Sequence, residues 1–143
     1  MLTCSKTYKD IPFAHRQPLH QGHCSKIHGH NWSVTIEFQA KELDPNGFVV
    51  DFGNLKYLKA FIDDHLDHAC LLSKKDTQAL ALAQSAHKDL FQICWVDNAS
   101  CEGIAVFLFN EFSRLVKENE GDRVSIQSIR LFEDEKNYVY YSP

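Results

Sequence analysis

The chain has 143 residues and a net charge of −4, and 44% of its residues are hydrophobic. This length suffices for one domain with a single core, and the mildly acidic balance argues against a nucleic-acid partner, because a phosphate backbone requires a basic surface. The amino terminus lacks the apolar run of a secretion signal and no segment is apolar over a membrane-spanning length, so we expect a soluble cytoplasmic protein with no membrane partner.

The cysteines favour the same compartment. They are odd in number and lack the close, regular spacing of a disulfide framework or of a zinc knuckle; they are Cys4, Cys24, Cys70, Cys94 and Cys101. Reduced thiols in a cytosolic protein are the simpler interpretation.

The first quarter of the chain predicts one strand followed by a loop. Apolar residues stand among polar neighbours up to Phe13, and the strand that they predict delivers His15 at its end. Pro18 and Gly22 then predict a loop over residues 16–27. Cys24 therefore lies on a loop, where it is free to approach a bound ligand.

A hairpin and a helix follow. Residues 32–40 alternate apolar with polar side chains, which is typical of a strand with one buried face. Proline, asparagine and glycine in residues 43–47 predict a turn into a second strand at 48–51. Apolar residues then recur every three or four positions from Leu55 to Leu66, which predicts an amphipathic helix capped by Asp51 or Asn54.

The second half predicts further helices and a closing hairpin. Residues 73–97 are alanine- and leucine-rich, and we interpret them as a helical insertion within a single domain of residues 1–143. A strong helix begins near Ser100, which can cap it. Residues 124–133 and 138–141 predict the final hairpin. The element order predicts an α+β fold with a four-stranded antiparallel sheet and helices on one face.

Three histidines form the clearest candidate for chemistry. In an extended strand, His28 and His30 project from the same face, and Gly29 between them allows close backbone packing. With His15 they would make a three-histidine Zn²⁺ site, which leaves one tetrahedral position open as catalytic sites do. Two alternatives remain: Cys24 completes a closed structural site, or the histidines are surface residues that bind no metal.

Further residues carry a functional and an ordinary interpretation. A Cys24 thiol near a cation would have a lowered pKa and could act as a base or nucleophile. Asp67 directly precedes His68, so it could support that imidazole as a general acid or base, although such dipeptides are often incidental. Glu133 could accept paired N–H bonds from a heterocycle edge, or it is a solvated charge at a turn.

Several short motifs in order along the chain resemble the superfamily of 6-pyruvoyltetrahydropterin and 6-carboxytetrahydropterin synthases. Each is weak alone, and their order makes the resemblance specific. The motifs are Phe13-Ala14-His15-Arg16, Cys24 followed by His28-Gly29-His30-Asn31, Asp44-Pro45-Asn46-Gly47-Phe48-Val49-Val50-Asp51-Phe52, Leu66-Asp67-His68, Ser100-Cys101-Glu102 and Phe132-Glu133.

The resemblance implies a tunnelling fold, in which subunits join edge to edge into a barrel. It implies a homo-hexamer built as a dimer of trimers, with active sites at subunit contacts. It also implies site residues: zinc ligands His15, His28 and His30; catalytic residues Cys24, Asp67 and His68; and pterin-binding residues Ser100, Cys101, Glu102 and Glu133.

The three-residue gap between Cys24 and His28 is similar to that of the 6-carboxytetrahydropterin synthase branch, which serves queuosine and other 7-deazapurines. The implied function is the zinc-dependent conversion of 7,8-dihydroneopterin triphosphate to 6-carboxy-5,6,7,8-tetrahydropterin, acetaldehyde and triphosphate. The alternatives are pyruvoyl-type triphosphate elimination, carbon–carbon cleavage as an aldolase, and a non-catalytic zinc protein that binds a pterin. Arg16 and Lys26 are the cations near the motif, and either triphosphate contact or a plain surface position fits them.

Overall fold

The computed structural model describes residues 1–143. Six strands and three helices are connected by turns and short 3-10 segments. The strands are β1 (Thr3–His15), β2 (His28–Ala40), β3 (Cys70–Ser73), β4 (Ile93–Val96), β5 (Val124–Phe132) and β6 (Tyr138–Tyr141); the helices are α1 (Lys56–His65), α2 (Thr77–Ala83) and α3 (Cys101–Glu120).

The strands form one sheet in the order β4-β3-β1-β2-β5-β6. As predicted, antiparallel pairing joins β1 to β2, β2 to β5, and β5 to β6. The predicted number of four is wrong, because β3 pairs parallel with the end of β1 and β4 pairs parallel with β3. All four residues of β3 are buried, so this strand lacks the alternation by which the others are recognised.

Two other segments differ from the prediction. Residues 48–51 do not form a strand; Val49 and Val50 are buried in a loop after a turn closed by the Asp44 carboxylate, which accepts from the backbone N–H groups of Asn46 and Phe48. Within residues 73–97 only α2 is an α-helix, and β4 follows it. That this segment is an insertion stays a prediction.

The core lies between the sheet and helices α1 and α3. The helices contribute the buried residues Leu58, Ile62, Ile104, Leu108 and Phe112, and the sheet contributes Trp32, Val34, Ile36, Phe38 and Ile129. Burying each such side chain contributes about 1.5–3 kcal/mol, so this layer holds the sheet rigid where the functional side chains project. No helix has the length and apolarity to cross a membrane.

A β-bulge in β1 decides which residues of that strand face the core. Tyr8 pairs with Val34, whereas Ile11 pairs with Trp32, so two residues of β1 oppose one residue of β2. Asp10 within the bulge has a left-handed backbone with φ 58°, which aspartate tolerates better than most residues. The bulge absorbs the extra residue, and both Tyr8 and His15 therefore face the interior.

Gly103 in the first turn of α3 is required by close packing. A Cβ atom at this position would overlap the backbone oxygen and the side chain of Asn98. We predict that Gly103→Ala lowers the free energy of unfolding by about 1–3 kcal/mol, because overpacking forces the backbone apart. Urea unfolding measures this, with Asn110→Ala on the exposed side of the same helix as a control that leaves stability within about 0.5 kcal/mol. An unchanged Gly103→Ala stability would contradict the packing argument.

Candidate metal centre

The pairing of β1 with β2 brings three histidines together. His15 lies directly opposite His28, and Phe13 lies opposite His30. The three side chains project from one face of the sheet, and their ligand atoms lie within 4.8 Å of one another. Sequence reasoning predicted the same three residues, and the structure places them where one ion could contact all three.

Hydrogen bonds orient two of the imidazoles. His15 Nδ1 lies 2.7 Å from the backbone oxygen of Ala99, and His28 Nδ1 lies 2.7 Å from the backbone oxygen of Lys26. A carbonyl oxygen only accepts, so each Nδ1 carries the proton and donates it. Each Nε2 is therefore left with its lone pair, as a metal ligand requires.

Burial keeps His15 neutral. Its side chain is 0% exposed, and burial lowers its pKa from 6.5 to about 4, with the Ala99 hydrogen bond acting in the opposite direction and the charges of His28 and His30 lowering the pKa further. The Nε2 atoms of His15 and His30 are buried without a hydrogen-bond partner. Orphaned buried polar atoms are costly, and a bound cation would satisfy both, so the donor set fits Zn²⁺.

Trp32 forms the floor beneath the histidines. Its ring centroid lies 4.9 Å from that of His15 and 5.3 Å from that of His30, both edge to face. Trp32 is fully buried, stacks on Phe13 and donates its indole N–H to the Phe13 backbone oxygen at 3.0 Å. This rigid apolar floor restricts the rotation of the imidazoles and excludes water from beneath them.

Glu133 faces the histidines. One carboxylate oxygen lies 3.3 Å from His30 Nε2 and 3.5 Å from His15 Nε2, and neither contact has hydrogen-bond geometry. The residue is half-buried just after β5. A carboxylate at this position adds negative charge beside a cation site, whereas sequence reasoning placed it only against a pterin ring.

Cys24 and the pair Asp67–His68 lie outside the histidine group. Cys24 is half-buried on the short 3-10 segment His23–Ser25, and its thiol does not join the cluster of ligand atoms. His68 follows α1 with its side chain 82% exposed, and its Nδ1 lies 2.5 Å from the Asp67 carboxylate. The Cys24 thiol is not among the grouped ligand atoms, and the Asp67–His68 pair forms its own contact outside the histidine group, so the roles predicted for these residues stay predictions.

The three residues at the start of α3 have distinct surroundings. Ser100 caps the helix by accepting from the Gly103 N–H at 3.0 Å, as predicted. The Cys101 thiol donates to the Leu131 oxygen at 3.7 Å; burial, with the nearby negative charges of Glu133, Glu102 and Asp134, raises its pKa to about 12. Cys101 therefore stays protonated, while Glu102 is exposed.

Sequence reasoning missed Ala99 and Gln17. The Ala99 backbone oxygen accepts from His15, and the Gln17 side-chain amide lies 3.2 Å from His15 Nδ1 and 3.4 Å from the same oxygen. A backbone carbonyl has no residue-type signature, so only the position of Ala99 just before the predicted helix could have drawn attention to it.

The depressed pKa of His15 predicts acid sensitivity of the metal-free protein. Below pH 6.5 His15 becomes protonated in the unfolded chain, whereas in the folded protein it stays neutral until about pH 4. The free energy of unfolding therefore falls as the pH falls through this window. The loss reaches about 3 kcal/mol, at 1.36 kcal/mol per pH unit of pKa difference. Urea unfolding with chelator at pH 7, 5.5 and 4.5 measures it, and His15→Asn should flatten the dependence. Equal slopes in both proteins would contradict the assignment.

Comparisons with known proteins find relatives along nearly the whole chain. The profile of the family described as 6-pyruvoyl tetrahydropterin synthase matches residues 3–143. The chain is similar to the 6-carboxy-5,6,7,8-tetrahydropterin synthase of Rickettsia bellii, with 32% identity over 97% of this chain and 99% of that protein. It is also similar to the protein of that name from Haemophilus influenzae, with 30% identity over 95% and 97%.

Solved structures share the fold. An uncharacterized protein from Wolinella succinogenes superposes with a TM-score of 0.82 at 19% identity, covering 99% of this chain and 97% of that one. The 6-pyruvoyl tetrahydropterin synthase of Caenorhabditis elegans has a TM-score of 0.66 at 19% identity, covering 99% and 95%. The family match over nearly all residues, together with relatives of 30% and 32% identity over at least 95% of each chain, establishes that this chain belongs to the 6-pyruvoyl tetrahydropterin synthase family.

Proposed function

We propose that this protein is a zinc-dependent 6-carboxy-5,6,7,8-tetrahydropterin synthase that converts 7,8-dihydroneopterin triphosphate to the 6-carboxy product, acetaldehyde and triphosphate, in queuosine or related 7-deazapurine synthesis. The observation that carries the proposal is the three-histidine group, in which His15 is buried, His28 and His30 are half-buried, and two Nε2 atoms have no hydrogen-bond partner. The full-length relatives named for this activity support the choice of substrate and product.

His15, His28 and His30 would hold the zinc ion. Three neutral nitrogen ligands leave a position for a substrate oxygen, and a bound Zn²⁺ supplies Lewis acidity to hydroxyl groups there. The Ala99 and Lys26 carbonyls keep the ligand nitrogens of His15 and His28 unprotonated. Because the pKa of His15 is low, its ligand nitrogen also stays unprotonated in mildly acid solution.

The remaining residues have proposed roles in proton transfer and binding. Cys24, on a loop beside the histidine strand, accepts a proton from the substrate side chain, and the Asp67-supported His68 donates or removes the other. Glu133 holds substrate polar groups against the centre, and its distance of 3.3 Å to His30 places it in reach of a ligand there. Ser100, Cys101 and Glu102 line the pterin end.

Assembly would complete the site. The outer edge of β1 has no strand partner before Ala14, because β3 pairs only with Ala14 and His15. His68 lies at this open edge, where its backbone N–H donates to the Pro12 oxygen at 2.7 Å. Unpaired strand edges are templates for pairing with another chain. We therefore propose a homo-hexamer, a dimer of trimers, in which one subunit's Asp67–His68 pair approaches the histidines of its neighbour.

The proposal predicts the product of a direct assay. The zinc-loaded protein incubated with dihydroneopterin triphosphate should yield 6-carboxytetrahydropterin and acetaldehyde, identified by mass. A pyruvoyl product would move the activity to triphosphate elimination, and cleavage without loss of triphosphate would indicate an aldolase. Substrate that binds but stays unchanged would indicate a non-catalytic pterin-binding protein.

Cys24→Ala separates the two interpretations of this thiol in the same assay. If Cys24 transfers a proton, product formation falls by about 10²–10⁴-fold while zinc content is unchanged. Parallel loss of zinc would instead make Cys24 a ligand. Cys4→Ala, on the distant end of β1, serves as the matched control with full activity and zinc content.

The backbone conformation of His68 predicts that replacing this residue by glycine lowers activity without lowering stability. His68 has φ 61°, a left-handed conformation that costs a non-glycine residue about 1–2 kcal/mol. Glycine adopts this conformation without that cost, and the gain in His68→Gly offsets the roughly 0.5–1 kcal/mol that glycine loses in chain entropy. We expect unchanged or slightly higher stability with activity reduced by about 10²-fold or more. Thermal unfolding and product formation measure the two effects.

The exposed His65, one turn earlier on α1, provides the control for this variant. His65→Ala should retain activity. Retained activity in His68→Gly would remove His68 from the proposed proton transfer, and a large loss of stability would contradict the strain argument.

A further inference from the structure

Three successive residues at the end of β1 contact the segment after β3. His15 donates to the Ala99 oxygen, Arg16 pairs with Asp76, and the Gln17 amide reaches Ala99. The middle contact lies outside the histidine group, and the function proposed above does not use it.

The Arg16–Asp76 contact is a buried ion pair. Arg16 Nε lies 2.9 Å from one carboxylate oxygen of Asp76, and the two side chains are 16% and 2% exposed. The contact is ionic and lacks linear hydrogen-bond geometry. A second guanidinium nitrogen lies 3.5 Å from the other carboxylate oxygen and 2.8 Å from the Gln78 side-chain oxygen. Nε and one terminal nitrogen of Arg16 are therefore directed to Asp76 and Gln78, which favours a structural role over the triphosphate contact that the sequence left open.

Asp76 is connected rigidly to the carbonyl that orients His15. The Asp76 oxygen that the second guanidinium nitrogen contacts also caps α2 by accepting from the Ala79 N–H at 3.2 Å, and the Asp76 N–H donates to the Ser73 oxygen at 3.0 Å. The Ser73 hydroxyl donates to the Asp97 oxygen at 3.0 Å, and the Lys74 N–H donates to the Val96 oxygen at 2.9 Å. Asp97 lies two residues before Ala99.

These contacts form a closed ring. It runs from His15 to Arg16, across the ion pair to Asp76, through Ser73 to Asp97, and back by the Ala99 carbonyl to His15 Nδ1. The ring fixes the Ala99 oxygen relative to the imidazole better than the single hydrogen bond would, because Ser73 also holds the 97–99 loop, and the ion pair holds the turn from Ser73 to Asp76 against Arg16.

We infer that Arg16 and Asp76 are positioning residues for the metal centre, which hold the Ala99 carbonyl in place so that His15 presents Nε2. The inference rests on the proposed metal site. It assigns a purpose to the segment between β3 and α3, which from sequence reads only as an insertion.

The test uses Asp76→Asn, whose side-chain oxygen can still cap α2, and Arg16→Gln. We expect each variant to bind zinc about 10-fold more weakly in chelator competition, in the range for loss of an outer partner of a ligand. We expect the double variant to lose no more zinc affinity than either single variant, because the two residues act as one unit. Asp63→Asn, which breaks the exposed pair with Lys59, is the matched control with unchanged affinity.

A measurement on the metal-free protein separates positioning from general destabilisation. The side-chain Nδ1–H of His15 should exchange faster with solvent in Asp76→Asn, as followed by ¹⁵N NMR, while the Trp32 indole N–H that donates to Phe13 keeps its rate. Equal acceleration of both N–H groups would mean that the variant only loosens the fold, and would overturn the inference.

The outcomes also distinguish this inference from the proposed function. Wild-type protein that binds no zinc would overturn the metal centre, and with it the inference. Tight zinc binding by wild type and by both variants, with unchanged His15 exchange, would overturn the positioning role and leave the proposed function standing.

Discussion

The register between β1 and β2 is the constraint on which the functional part of the molecule depends. His15 can meet His28 only if the two strands pair at that position, and the bulge at residues 9–10 is what allows the whole of β1 to keep its apolar side chains inward while it does so. A slip of one residue would turn every side chain of a strand to the other face. The core packed behind β2 therefore protects the site as well as the fold.

The same core imposes a cost at the centre of the site. His15 is fully buried with an unpartnered Nε2, so the metal-free protein carries an unsatisfied atom that a close-packed interior would ordinarily exclude. Holding a neutral imidazole buried in one tautomer lowers the stability of the metal-free protein. A bound cation would offset this cost by satisfying the buried Nε2 atom.

The candidate site residues lie in two separate places in the single chain. The histidines, Glu133 and the Trp32 floor lie on one side of the sheet, while the Asp67–His68 pair stands exposed at the open edge of β1. His68 has a left-handed backbone, and its side chain is 82% exposed. The proposed assembly through the open edge of β1 would bring this pair to the histidines of a neighbouring subunit.

The sequence by itself determined the long strands β2 and β5, helices α1 and α3, the Ser100 cap and the identity of the three histidines, because each depends on local periodicity or on side-chain chemistry. The positions of β3 and β4, the loop over residues 48–51, the bulge in β1, the Arg16–Asp76 pair and the role of the Ala99 carbonyl were decided only by the tertiary structure. Buried parallel strands lack alternation, and backbone carbonyls are the same in every residue. Contacts between positions 15 and 99 therefore leave no signature in the chain until the fold brings them together.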